Sequence, residues 1–310
     1  MDLAAYWRLV RQPKQRRRRI MAIAATPAGE RENEDVALIP FARAHLEGAL
    51  RLSQEMSWPY LLEDWEFALQ LGRGFVVTSA GAVVGTALWW PYGDTHASAG
   101  MIIVSKATQG RGYGARLMDA LLAAARPRII TLNSTAEGLA LYARRGFASI
   151  GSLHQHQGIP SQRRDMSPLG NVRTMVPSDF GAIVGLDHEA TGWTRREMLN
   201  RLIEVGDGYV LLRDGIPRGY AISRLFGRGH VIGPVVAESP TDARALIEAA
   251  LAPLGSVFVR VDTSTTSQLG EWLEGIGLQQ VGDATTMVLG TQMPSSGPAR
   301  TFALANQSFG

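Results

Sequence analysis

Apolar residues along this chain recur with two periods in alternation, and they predict a succession of short strands and helices. Val36 to Pro40 reads as a strand. Ala42 to Met56 carries Leu46, Ala49, Leu50 and Leu52 at helical spacing, and Leu61 to Leu71 predicts a second helix after the loop Ser57-Trp58-Pro59-Tyr60. Gly74 to Thr78 and Val83 to Trp90 are apolar runs around Ala80-Gly81, a hairpin. His96 to Val104 is the next strand, and it enters a loop with glycines at Gly110, Gly112 and Gly114. The helix Gly112 to Ala125 follows, with Leu117, Met118, Leu121 and Leu122 on one stripe. Ile129 to Leu132, Thr135 to Arg144 and Ala148 to His156 then predict strand, helix and strand.

After the polar, turn-rich stretch Gly158 to Gly170, which predicts a linker, the same order returns in a faded form. Val172 to Val176 is a strand, Asp179 to Asp187 and Glu197 to Val205 are helices, and Gly208 to Arg213 with Gly219 to Arg224 is a hairpin. His230 to Val236, Thr241 to Ala252, Val257 to Val261, Ser267 to Ile276 and Leu278 to Val288 match the later elements. No final strand of the first copy is evident after His156. The short apolar piece Thr301 to Ala305 is expected to cross back and pair with a sheet edge.

The glycine loop carries the chemistry. A strand, a glycine-rich turn and a helix N-terminus together form an anion site, because first-turn N–H groups lack intrahelical partners and the dipole end is positive. A nucleotide-binding loop would end in Gly-Lys-Ser/Thr, whereas Gly112-Tyr113-Gly114-Ala115 stands here. A dinucleotide fingerprint needs G-x-G-x-x-G and an acidic residue about 20 positions on, whereas the spacing here is G-x-G-x-G with no such acid. In the second copy the corresponding stretch is Ala237-Glu238-Ser239-Pro240, where an acidic side chain repels phosphate and a proline removes a donor.

The spacing Gln109-x-x-Gly112-x-Gly114 resembles the pyrophosphate motif of the GNAT superfamily of acyl-CoA-dependent N-acyltransferases. A second block, Leu141-Tyr142 followed by Gly146-Phe147, matches the same family residue for residue. The run from Leu132 through Thr135 and Gly138 to Tyr142 is similar to a tandem-domain bacterial subgroup. The resemblance implies an α/β fold, of the α+β kind with a mixed sheet, in two tandem GNAT-like domains. The expected divisions are a disordered basic tail over 1–33, a catalytic domain over 34–157, a linker over 158–171 and a degenerate GNAT-like domain over 172–310. The second domain is expected to wall the acceptor pocket and not to bind coenzyme A in the same manner.

The resemblance further implies direct attack of an acceptor amine on the acetyl-CoA thioester. Gln109, Gly110, Arg111, Gly112, Tyr113, Gly114 and Ala115 would clamp the pyrophosphate, and main-chain groups of Ile102, Ile103 and Val104 would pair with the pantetheine arm. Asn133 and Thr135 are weaker candidates for cofactor contacts. Tyr142 is the expected proton donor to the departing thiolate. Glu55 is the expected base or substrate contact, with Asp64 and Glu137 as rivals, and Trp58, Tyr60 and Trp90 are an expected aromatic wall. The acceptor is expected to be a small-molecule amine; a protein or peptide acceptor, or a sensor that binds coenzyme A without turnover, are the alternatives.

Composition narrows the field. The net charge is +3, but residues 1–20 hold seven Lys/Arg against one Asp, so the remainder is about −3. The basic balance therefore belongs to the N-terminal stretch, which argues against a general nucleic-acid binder. There is no cysteine, which excludes disulfides, a thiol nucleophile and thiolate metal sites. His154 and His156 share a strand face without a third ligand, and a hydrogen-bonded surface pair is expected, with no metal. No apolar run is long enough to span a membrane and no secretory leader is evident, so a soluble cytoplasmic protein, monomer or homodimer, is expected.

Overall fold

A computed structural model describes residues 36–161, 171–291 and 295–310. The expected basic tail and residues 162–170 of the expected linker lie outside the described residues. The first half runs β1 (Val36–Pro40), α1 (Leu46–Glu55), α2 (Leu62–Leu71), β2 (Arg73–Ser79), β3 (Ala82–Tyr92), β4 (His96–Val104), α3 (Tyr113–Ala125), β5 (Ile129–Ser134), α4 (Leu139–Ala143) and β6 (Ala148–Gly158). The second half repeats this plan as β7 (Val172–Thr174), α5 (Phe180–Thr191), α6 (Arg196–Val205), β8 (Gly206–Arg213), β9 (Ile216–Phe226), β10 (Gly229–Ala237), α7 (Pro240–Leu251), β11 (Val259–Ser264), α8 (Gly270–Gly275) and β12 (Gln279–Leu289), with β13 (Arg300–Ala303) in addition. The helix expected over 135–144 is shorter than its apolar pattern, because Thr135–Gly138 forms a turn closed by Gly138 N–H donating to the Thr135 carbonyl.

All thirteen strands join one mixed sheet in the order β1-β2-β3-β4-β5-β12-β6-β11-β13-β10-β9-β8-β7. The two halves exchange their last strands. β12 lies antiparallel beside β5, with Met287 opposite Leu132, and so supplies the final strand that the first half lacks. In return β6 pairs with β11, Val261 opposite His156. The expected division between residues 157 and 172 therefore does not divide the sheet. Residues 301–303 do pair with strands, but inside the sheet and not at an edge: β13 lies antiparallel to β10 and also touches β11.

Helices cover the sheet where their apolar stripes meet it. Leu117, Met118 and Leu121 of α3 are fully buried, against a cluster that includes Val77, Ala87, Ile130 and Leu132. A larger core draws from both halves, joining Trp65, Leu88 and Trp90 to Leu199, Tyr220 and Ile222. Asp64 fastens the halves at one further point. Its Oδ2 accepts from the Leu61 N–H at 2.8 Å, capping α2, and from the Gly227 N–H at 3.1 Å in the β9–β10 turn. Burial raises the Asp64 carboxyl above the usual carboxylate range, and the two N–H donors oppose that shift. Asp64→Ala leaves both amides without that partner and is expected to cost about 1–3 kcal/mol in a urea titration. A change below about 0.5 kcal/mol would show the clamp to be idle.

Candidate active site

Strands β4 and β5 run parallel for only four residues, His96 opposite Ile129 through Ala99 opposite Leu132, and then part. The cause lies in β4. Thr86 faces Ile103 and Leu88 faces Gly100, so Met101 and Ile102 together oppose the single residue Ala87 across β3. Such a bulge bends the strand. Met101 sits there at a left-handed φ of 51°, and the Thr86 hydroxyl donates to its carbonyl at 2.8 Å. From Gly100 to Val104, no strand among the described residues pairs with β4 on the β5 side.

The gap between the strands opens into a cavity of about 1160 Å³. Gly100 to Val104 of β4, Asn133 and Thr135 after β5, and Tyr142 of α4 all line it. One end is the glycine loop. Gly110 and Gly112 take φ of 79° and 80°, which residues with a Cβ rarely adopt, and Gly112 caps α3 with no side-chain hydrogen bond. The first turn of α3 carries no acidic residue, and Lys106 and Arg144 stand on the cavity wall beside it. Uncapped N–H groups under a positive helix end fit an anionic ligand. Gln109 also lines the cavity, and its Nε2 donates to the Val104 carbonyl at 3.2 Å.

Tyr142 is buried, and its ring packs edge-on to Phe147 at 6.0 Å. Gly138 is required below it, because a Cβ there would stand 2.8 Å from Cε2 of the tyrosine ring. No protein group hydrogen-bonds the Tyr142 hydroxyl among the described residues. Desolvation pushes its pKa up to about 12.

Other expected residues fall elsewhere. Glu55 is not on the cavity wall: its Oε1 accepts from the Lys106 N–H at 2.6 Å and the Ser105 hydroxyl at 3.2 Å. Its carboxylate is engaged in tying α1 to the start of the glycine loop, which corrects its expected role at the acceptor. Trp90 is also corrected: it is 1% exposed, donates to the Ala68 carbonyl at 2.9 Å and packs on Phe309, away from the cavity. Trp58 and Tyr60 do line the cavity, as does Glu137. Asn133 reaches it, but its amide is committed to the Gln307 carbonyl and the Thr286 hydroxyl, both at 2.8 Å. His156 is buried and not a surface residue; its Nδ1 pairs with the Leu278 carbonyl at 3.2 Å, and desolvation lowers its pKa.

The opposite end of the cavity carries no local sequence motif. Gln155, Gln157, Arg228, Arg260, Gln307 and Ser308 stand there, gathered by the strand exchange and by the chain after β13. That segment crosses from the second half to the first, where Ser308 lies directly on Gly100. Upstream, β13 fills the second half's own gap between β10 and β11, which are parallel only at His230–Val231. The second helix mouth is filled as well. Ser239 caps α7, while Glu238 and Asp242 are both paired to Arg213, at 2.7 and 2.6 Å. The second copy thus fills with its own chain both places that the first leaves open.

The fold and this open gap are those of an acyltransferase. Two models described as "Acetyltransferase (GNAT) domain" match the chain, one over residues 70–149 and the other over 183–300. The chain belongs to the GNAT superfamily of N-acetyltransferases, in its tandem-domain form. It is 28% identical over 215 residues to the uncharacterized N-acetyltransferase YitH of Bacillus subtilis, covering 68% of this chain and 76% of that one. A structure from Pyrococcus horikoshii described as an acetyltransferase superposes with a TM-score of 0.74 at 19% identity, over 92% of this chain and all of the other. A tandem GNAT protein from the clavulanic acid biosynthesis pathway gives 0.58 at 16% identity, over 84% of this chain and all of that one. At these identities the two structures establish likeness of fold alone. No helix among the described residues is long and apolar enough to cross a membrane.

Proposed function

We propose that the protein is an acetyl-CoA-dependent N-acetyltransferase acting on the primary amine of a small molecule. The observation that carries this reading is one cavity shared by an uncapped glycine-rich helix end and an unpartnered tyrosine hydroxyl. Acetyl-CoA, when bound, supplies an activated acyl thioester. The N–H groups of Tyr113, Gly114 and Ala115 hold its pyrophosphate, and Lys106 and Arg144 add positive charge beside them. Main-chain groups past the β4 bulge pair with the amide arm and stabilise charge developing on the carbonyl oxygen. Tyr142 delivers its proton to the departing sulfur.

The acceptor must first lose a proton. For an alkylamine of pKa about 10.4 this costs about 4.6 kcal/mol at neutral pH. Among the described residues Glu137 is the only carboxylate on the cavity wall, against Lys106, Arg144, Arg228 and Arg260. That positive surround favours the neutral amine, so release of the proton to solvent water replaces the role first expected of Glu55. A peptide acceptor is less favoured, because residues of the second half and the segment around Ser308 narrow the acceptor end.

Calorimetry with coenzyme A tests the reading, followed by thiol detection on mixing acetyl-CoA with an amine panel. Gly112→Val forces a β-branched residue into left-handed backbone at the phosphate cradle and is expected to weaken association about tenfold or more. Absence of binding in the unsubstituted protein overturns the proposal. Binding without turnover on any amine leaves only a sensor.

A further inference from the structure

We infer that the acceptor amine also carries an oxyanion, a carboxylate or a phosphate ester, held by Arg228 and Arg260 at the end of the cavity away from the glycine loop. This rests on the function proposed above and names the class of substrate it serves.

The end in question is built from both halves. Tyr60 of the first half stands edge-on to Phe226 of the second at 5.2 Å, and its hydroxyl pairs with Ser308. Gly227 seats beneath Pro59. Three guanidinium groups converge on this corner. Arg260 and Arg224 both lie over the Phe226 ring, at 5.5 and 5.0 Å. Arg228 lies in the adjoining turn, over Phe258 at 5.4 Å.

The ion pairing around them is incomplete. Arg260 places Nε and Nη2 on Asp262, the latter contact at 2.9 Å, and its Nη1 has no protein partner among the described residues. Arg224 is 4% exposed, and its Nε and Nη2 are both without partners. Its nearest balancing charge is Asp64, whose own carboxyl is shifted toward the neutral form by burial. Arg228 has no carboxylate within ion-pair distance among the described residues, although it lines the cavity and is exposed to it. Three arginines against Asp64 and Asp262 leave at least one positive charge unanswered, and no carboxylate among the described residues lines this end.

The neutral groups point the same way. Gln307 donates to Gln155 Oε1 at 3.4 Å and to Asp262 Oδ1 at 3.3 Å, and Gln155 donates to Gln157 Oε1 at 3.1 Å. The relay consumes acceptors and ends in the free Nε2 donor of Gln157. A corner where guanidinium and amide donors outnumber carboxylates suits a planar or tetrahedral oxyanion. Its unanswered positive charge disfavours a second ammonium, so a polyamine is a poor acceptor. A zwitterionic acceptor gains orientation from this arrangement: its anionic end is anchored beside Arg228 and its amine is directed toward Tyr142.

The test uses the full chain and matched acceptors differing only in charge: amino acids against their amides, and phosphoethanolamine against ethanolamine. Steady-state thiol release should favour the anionic member by about tenfold or more in kcat/KM, chiefly through KM, and the better pair identifies carboxylate or phosphate. Arg228→Gln should erase most of that preference and Arg228→Glu should reverse it, while both keep the parent's melting temperature and coenzyme A association. Arg228 is chosen over Arg260 because it is exposed, whereas removing Arg260 strands a buried Asp262. Equal rates for the two members of each pair, or a preference that survives Arg228→Glu, would overturn the inference yet leave the proposed N-acetyltransferase standing. Loss of coenzyme A association in the parent protein would instead remove the reading on which it rests.

Discussion

Tyr142→Phe is expected to lower kcat by about 10²–10⁴ with coenzyme A association unchanged. The substitution removes one oxygen and keeps the ring that packs on Phe147 and over Gly138, so the loss reports chemistry and not folding. Desolvation pushes the Tyr142 phenol up to about 12. It therefore stays protonated, and fit to donate, throughout the range in which the protein would be assayed. The sign of the pH dependence follows: kcat/KM should rise with pH as the acceptor amine deprotonates, with no descending limb below about pH 10 from an ordinary phenol. A turndown near pH 8 would assign the acid to another group. Full turnover by the phenylalanine variant would end the role of Tyr142 altogether.

Asp187→Ala is expected to cost about 3–5 kcal/mol, the largest stability effect of any single substitution considered, measured as a fall in the urea midpoint. Asp187 and Arg195 are 1% and 0% exposed at their side chains. The guanidinium donates to both carboxylate oxygens, at 2.6 and 3.0 Å, and Tyr220 donates to Oδ1 at 2.5 Å. Burial by itself lowers the Arg195 pKa, and the facing Asp187 more than reverses that, holding it above the usual arginine value. Without the aspartate a buried guanidinium is left in the core with no counter-charge. The same arginine donates to the Gly310 carbonyl at 2.7 Å, and Tyr92 donates to the Phe309 carbonyl at 2.5 Å. This anchorage keeps Gln307 and Ser308 at the acceptor end, so the variant should raise KM for the amine as well. Tyr220→Phe, which keeps the ion pair, should cost only about 1 kcal/mol. Equal effects from the two variants would show that the ion pair is not what holds the segment.

The end of the site proposed for the cofactor was legible because its signals are local. Glycines at 110, 112 and 114 and an uncapped helix start lie within a few residues of one another, and Tyr142 follows within a recognisable block. The acceptor end was not legible. Glu55 looked free because sequence does not reveal that the Lys106 N–H would take its carboxylate. Trp90 looked like a wall because an aromatic next to a site and an aromatic in a core have the same composition. Arg228, Arg260, Gln155 and Gln307 belong to four distant segments, and no spacing rule joins them.

What the sequence determined by itself was the alternation of elements, the duplication, and the loss of the phosphate cradle in the second copy through Glu238 and Pro240. Each rests on periodicity or backbone chemistry that acts between near neighbours. Only the tertiary structure decided that β12 completes the first half, that β13 fills the second half's gap, and that the following residues close the first half's pocket. Strand pairing is a contest among many edges of similar pattern. Its outcome is set by which edges are left unpaired once every other element has packed.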